Sequence, residues 1–252
     1  MFEGDDPEMA HARQEARATF AYFWRELAWE RRRIIPALDF AGVKAPFSDG
    51  PRGARASADK PSVEEMWISE VDFDGRDISG ELLNQPNWLK SITRGDAVRL
   101  PLERVSDWMY VINGQVFGAV TVQLIRSRMR PKERAEHDQA WGLNFGDPEN
   151  VRIVVEPASL AGDHPMSVNM GPSLQEAIAS DPSFMSQTDH RGWTYLHQLA
   201  LAGSTTGVKV LLDAGADPNL RTADGRTAAQ LADTLGWDDV VKLLAARRRM
   251  ER

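Results

Sequence analysis

The hexapeptide Asp189-His190-Arg191-Gly192-Trp193-Thr194 returns as Thr222-Ala223-Asp224-Gly225-Arg226-Thr227, and the two copies stand 33 residues apart. The agreement runs on downstream. Ala200 and Gly203 are answered by Ala232-Asp233 and Gly236, and Val208-Lys209-Val210-Leu211-Leu212 by Val241-Lys242-Leu243-Leu244. Gly215-Ala216-Asp217-Pro218-Asn219 closes the first copy. A period of this length marks an array of stacked supersecondary units, each burying its apolar side on the next. Within a unit, Gly192 and Gly225 permit a tight turn. Thr194 stands where it can cap a first helix. Leu196, Leu211 and Leu212 are expected between the helices, and Gly215 stops the second.

Residues 189–250 resemble the ankyrin repeat, a β-turn followed by two antiparallel helices. The resemblance makes His197 a structural histidine that bonds neighbouring turns, not a catalyst. It also places variable contact residues on the turn tips and the first-helix face. His190, Arg191, Trp193, Leu201 and Ala202, with Asp224 and Arg226 on the next repeat, are therefore the expected partner-binding surface, with Trp193 as its anchor. Three positions depart from the pattern: Tyr195 replaces a proline, Gln230 a histidine, and Gly207 a buried aliphatic residue. Gly207 is expected to weaken its helix by about 1 kcal/mol relative to Ala. Ser173 to Ala179, ahead of Asp181-Pro182, supplies the second helix of a degenerate cap. The module then spans 172–252 as a cap and two repeats. Three repeats are generally needed for an independent stack, so this one is expected to lean on the rest of the chain.

Outward from the repeats, the pattern changes. Ala12, Ala16, Phe20, Phe23 and Leu27 recur at helical spacing over residues 8–33, a long helix that Pro36 ends. Its apolar face is widened by Tyr22, Trp24 and Ala28. Strands are expected at 38–47 and 63–73 with a loop at 48–62 between them. A short helix is expected from Pro86 to Arg94, then a strand holding Val98 and Leu100. Asn113-Gly114, set between Trp108–Val111 and Val116–Val122, supplies the positive φ angles of a hairpin turn. A helix from Pro131 to Leu143, a strand over Val151–Val155 and a linker at 156–171 complete the half. The fold class is α+β: an antiparallel sheet with a long packed helix at 8–155, followed by a short all-α module. Trp24, Trp67, Trp88 and Trp108 are assigned to the core.

A second resemblance covers about residues 14–150. It is carried by Phe40-Ala41-Gly42-Val43-Lys44-Ala45-Pro46-Phe47, Glu64-Glu65-Met66-Trp67-Ile68, Gly80-Glu81-Leu82-Leu83-Asn84-Gln85-Pro86, Gly95-Asp96 and Ser106-Asp107-Trp108-Met109-Tyr110. These strings, in this order, resemble the YegJ-like bacterial domain of unknown function, family 2314. The resemblance fixes a boundary and implies no activity.

Composition narrows the functions. The 252 residues carry 37 acidic and 30 basic side chains, a formal net charge of −7, and no cysteine. Thiolate metal sites, disulfides and cysteine nucleophiles are excluded. The acidic balance argues against a nucleic-acid partner, whose phosphates are gripped by many Lys and Arg contacts. Arg31-Arg32-Arg33 and Arg247-Arg248-Arg249 read as solvated helix ends. No apolar run suits a membrane span or a signal peptide, so a cytoplasmic location is expected. The five histidines have no zinc-ligand spacing, and neither a metal nor a cofactor is expected. The candidate acids for catalysis are Glu64, Glu65, Asp96 and Asp107. The favoured reading is a non-enzymatic bacterial protein that binds another protein through its ankyrin face, in an immunity or antitoxin role by fold-level analogy. The competing reading is an enzyme, hydrolytic, with a carboxylate site in the N-terminal domain and the repeats recruiting substrate.

Overall fold

The computed structural model describes residues 6–50 and 63–250, so most of the loop expected at 48–62 lies outside the described residues. Two compact units emerge: residues 1–23 with 34–155, and residues 24–33 with 156–252. Helix α1 (Pro7–Glu30) contributes to both.

The first unit is a six-stranded antiparallel sheet in the order β4-β3-β2-β1-β5-β6. Its strands are β1 (Phe40–Phe47), β2 (Glu64–Phe73), β3 (Asp77–Leu82), β4 (Ala97–Pro101), β5 (Asp107–Ile112) and β6 (Gln115–Gly118). The early turns of α1 lie on one face. Phe20 and Phe23 are fully buried there, Phe20 edge-on to Phe73 at 5.3 Å and Phe23 beside Trp108 at 5.7 Å. Each such ring is worth roughly 1.5–3 kcal/mol of apolar burial. The Trp108 indole N–H is satisfied by the Ala16 carbonyl at 2.7 Å, which ties helix to sheet. A second cluster is built from Trp67, Met109, Val111, Val116, Val122 and Phe145.

Several elements differ from the sequence reading, each for a local reason. Strand β6 ends at Gly118 because Gly118 and Ala119 both take positive φ (76° and 57°), and Val120–Ser127 then form helix α2 instead of more strand. The stretch from Pro86 to Arg94 is not helical. Glu64 accepts the N–H groups of Asn87 and Trp88, and Asp49 those of Lys90 and Ser91, so side chains replace helical partners. This loop leaves Trp88 43% exposed, outside the core. Strand β3, Asp-Ile-Ser-Gly-Glu-Leu, has too little apolar alternation to announce itself. Residues 151–155 form no strand, although the Arg152 carbonyl accepts the Gly118 N–H at 2.7 Å. Helix α3 (Pro131–Trp141) is where it was expected.

The second unit is helical: α4 (Pro165–Ser180), α5 (Tyr195–Leu201), α6 (Thr205–Asp213), α7 (Ala228–Thr234) and α8 (Asp238–Met250). Helix α4 starts inside the stretch expected as linker at 156–171. Pro172 sits in its interior, a residue that normally breaks a helix, which hid the element in the sequence. α4 packs on α6, α5 on α7 and α6 on α8, the stacking of a cap and two repeats. Gly192 has φ 70°, and a Cβ there would stand 2.8 Å from the Ala223 amide nitrogen, so only glycine lets one turn approach the next. At Gly207 a Cβ would stand 2.6 Å from Leu199 Cδ1 and 2.7 Å from Ser204 Oγ. Here glycine allows close seating of α6 on α5. Overpacking, roughly 1–3 kcal/mol, should outweigh the gain of about 1 kcal/mol in helix propensity. Gly207→Ala is therefore expected to lower the melting temperature, and a rise would contradict this account.

Candidate functional site

The four candidate catalytic carboxylates all lie in the first unit, and each is engaged structurally. Asp107 is wholly buried. Its Oδ1 accepts the N–H groups of Trp108 at 2.9 Å and Val120 at 3.0 Å, and its Oδ2 that of Thr121 at 2.9 Å. The Thr121 hydroxyl donates to the same oxygen, and Lys44 Nζ donates to that hydroxyl while standing 3.7 Å from the carboxylate. Asp107 thus caps α2 from the neighbouring strand. Burial pushes its carboxyl above the usual range, against the pull of Lys44 and Thr121. Glu65 is held by Arg13 at 3.0 Å and by the Ser106 hydroxyl. Glu64 organises the 87–88 loop, and Asp96 accepts the Thr93 N–H at 2.8 Å. None of the four lines the cavity between α1, α2 and residues 148–151. Among the described residues, no three His, Asp or Glu side chains converge as metal ligands, and no helix is long and apolar enough to cross a membrane.

Three carboxyls show how the charges bear on stability. Burial raises Glu26, Glu64 and Asp138. Opposing contacts together outweigh burial and hold all three below their ordinary values: His164 and Arg33 for Glu26, the Asn87 and Trp88 N–H groups for Glu64, Arg126 and His137 for Asp138. Their folded pKa values lie below the unfolded ones, so their stabilisation is complete above about pH 5 and is lost as pH falls through the folded values. Asp107, shifted upward, works in the opposite sense. The melting temperature is expected to hold from pH 7 to about 5 and to drop below about pH 4. A flat profile to pH 3 (roughly one unit lower) would contradict the assignment of these pairs.

In the second unit, the expected partner-binding residues separate into two groups. His190 and Asp224 are exposed, and Arg191 and Arg226 are partly so. They stand on adjoining turns, joined by the Ala223 N–H donating to the Arg191 carbonyl at 2.9 Å. Asp189 Oδ1 closes the first turn by accepting the N–H groups of Arg191 and Trp193, both at 2.9 Å. Asp224 pairs with Arg226 at 2.7 Å and accepts from the Thr222 hydroxyl. Partial burial raises Asp224, but Thr222 and Arg226 pull it below the usual range. The other three were expected on wet positions, and the structure corrects this. Trp193 is 3% exposed, and Leu201 and Ala202 are fully buried. The Arg191 guanidinium stacks on Trp193 at 4.3 Å, and the Leu201 carbonyl accepts the Trp237 indole N–H at 3.1 Å.

His197 is structural, as the resemblance implied. Its Nδ1 accepts the Thr194 N–H at 3.2 Å, so its Nε2 carries the proton donated to the Leu220 carbonyl at 3.1 Å. Burial keeps its pKa below the usual histidine value.

A group of residues that the sequence does not assign to the repeats lies at and just beyond the end of α1. Trp29 enters the core of the repeats with Leu196, Leu199 and Ala200, stacked on His164 at 5.9 Å. Buried Arg25 donates to the carbonyls of Ser159 at 2.7 Å and Gly162 at 3.2 Å. Glu26 meets His164 Nε2 at 3.0 Å, and Arg32 donates to Gln198 at 3.2 Å and covers the Tyr195 ring. The arginine run at 31–33 is therefore packed and paired, not simply solvated. Arg25, Ala28, Trp29 and Arg32 recur at i, i+3, i+4 and i+7. That is a second helical stripe, legible in sequence beside the aromatic one.

Comparison with known proteins agrees with both halves. The family model described as an uncharacterized protein conserved in bacteria (DUF2314) matches residues 6–145, more than half of the chain. The chain belongs to this family. Ankyrin repeats match residues 186–232. A Neisseria meningitidis serogroup B protein named as a putative ankyrin repeat protein is 42% identical over 250 residues, covering 97% of this chain and 95% of the relative. The uncharacterized protein YegJ of Escherichia coli K12 is 26% identical over 102 residues, 40% of this chain and 60% of its own length. This DUF2314 protein thus carries its family domain and an ankyrin module in the same order as the Neisseria relative, given the near-full coverage of both chains.

Proposed function

We propose that this bacterial protein acts without catalysis in the cytoplasm, binding another protein through the turn tips of its ankyrin repeats. The observation that carries the reading is the placement of His190, Arg191, Asp224 and Arg226 on two adjoining turns, open to solvent in whole or part. The first-helix side at Tyr195 and Gln198 is already engaged by Arg32 of the same chain. The finer reading, that the partner is a toxin and this chain its immunity protein, rests on fold-level analogy. Protection of cells that express the captured partner would support it.

The test begins with capture of the partner from the source bacterium by the full-length chain, followed by affinity measurement on the purified pair. Reversing the charge at Asp224 and truncating His190 together should weaken binding about tenfold or more, with only a small fall in melting temperature from the lost Arg226 pair and Thr222 bond. Undiminished affinity would refute the assignment. Trp193→Ala is expected to do the reverse. Removing so buried an indole should lower stability by about 3–5 kcal/mol and leave the affinity of the folded fraction nearly intact. Lost affinity at full stability would return Trp193 to the binding surface.

A further inference from the structure

A cavity of about 470 Å³ opens in the first unit between the early turns of α1, helix α2 and residues 148–151. That volume lies within the ~300–1,000 Å³ of small-ligand sites. Its floor is apolar, made by Ala12, Val120, Leu124 and Val151. The two polar side chains on α2 that reach it are turned to the protein. Gln123 donates to the Phe145 carbonyl at 2.7 Å and accepts from Arg126, and the Ser127 hydroxyl donates to the Leu124 carbonyl at 2.9 Å. The rim is acidic, carrying Glu8, Glu15 and Glu149 beside His11. Glu8 is already paired, with Arg128, which is divided between Asp6 and Glu8 at 2.6 Å and 2.5 Å. Glu15 and Glu149 form no ion pair among the described residues, and both are exposed.

An apolar floor with inward-turned polar groups recognises no hydrogen-bonding pattern, whereas two unpaired carboxylates above it favour one positive charge. We propose that this cavity binds a small organic cation, an amine with an apolar body, whose body rests on Val120 and Leu124 while its ammonium meets Glu15 and Glu149. The proposal is independent of the ankyrin turns.

The test is a nitrogen-15 chemical-shift titration of the full chain with phenethylammonium and with its neutral counterpart, phenethyl alcohol. The amine should give saturable shifts at residues 8–15, 120–127 and 148–151, and the alcohol should bind about tenfold or more weakly. The double variant Glu15→Gln, Glu149→Gln should bring the amine down to the level of the alcohol without altering the melting temperature. Equal binding of amine and alcohol would make the cavity merely apolar and overturn the proposal. So would shifts elsewhere, or no saturable shift up to about 10 mM amine. A lysine-bearing peptide that shifts these residues where the amine does not would also overturn it, in favour of a peptide groove.

Discussion

Asp107→Ala is expected to cost about 3–5 kcal/mol and to leave the N-terminal unit largely unfolded at 37 °C (about body temperature). The substitution orphans the N–H groups of Trp108, Val120 and Thr121 and removes the countercharge 3.7 Å from Lys44 Nζ, all in a site where Asp107 itself has no exposure. Each orphaned buried group costs about 1–3 kcal/mol, and a stranded charge more. The carboxylate holds the strand-to-helix turn together with two backbone bonds at 2.7 Å, from the Gly118 N–H to the Arg152 carbonyl and from the Ala119 N–H to the Trp108 carbonyl, and Ala119 there keeps a left-handed backbone that a non-glycine residue adopts at a cost. Asp107→Asn preserves volume and one acceptor oxygen, and should retain part of the stability. Urea unfolding followed by tryptophan fluorescence measures both. A loss under about 1 kcal/mol for the alanine variant would mean that the carboxylate is not the cap described.

The second large effect is expected at Trp29. It is 2% exposed, packed among Leu196, Leu199 and Ala200. Trp29→Ala should cost the helical unit about 3–5 kcal/mol by transfer and cavity terms together. The same reasoning bears on fragments. Residues 156–252 expressed without 24–33 lose Trp29, the Arg25 bonds to the 159–162 turn and the Glu26–His164 pair at one stroke. Two repeats and a cap have little burial to offset chain entropy. The fragment is expected to melt broadly, or well below the intact chain. A sharp, unchanged transition would show that the end of α1 is dispensable to the repeats.

The repeat module was legible because its signals are local: turn glycines, capping threonines and leucines at a 33-residue register. Much of the sheet was legible for the same reason, through alternating apolar residues and Asn113-Gly114. What escaped depends on distant partners. The strand-to-helix switch at Gly118–Ala119 is set by Asp107, from the adjacent strand. The turns at 87–91 are set by Glu64 and Asp49, which lie at least 23 residues away. Helix α4 was hidden by Pro172. Repeat position alone puts Trp193, Leu201 and Ala202 on the contact face, but burial depends on what packs over a position, which the repeat register does not encode. Arg25 and Trp29 share a plain helical spacing with Ala28 and Arg32, but the sequence alone sets Ala28 on the aromatic stripe and Arg32 in a solvated basic run and names no distant partner for any of the four.

Amide hydrogen exchange on the full-length chain, alone and saturated with its captured protein partner, tests the central claim most directly. The account predicts new protection at residues 189–192 and 222–226, with the 64–65 and 107–121 segments unchanged. Protection confined to the N-terminal unit, with the two ankyrin turns exchanging as freely as in the unbound protein, would contradict it.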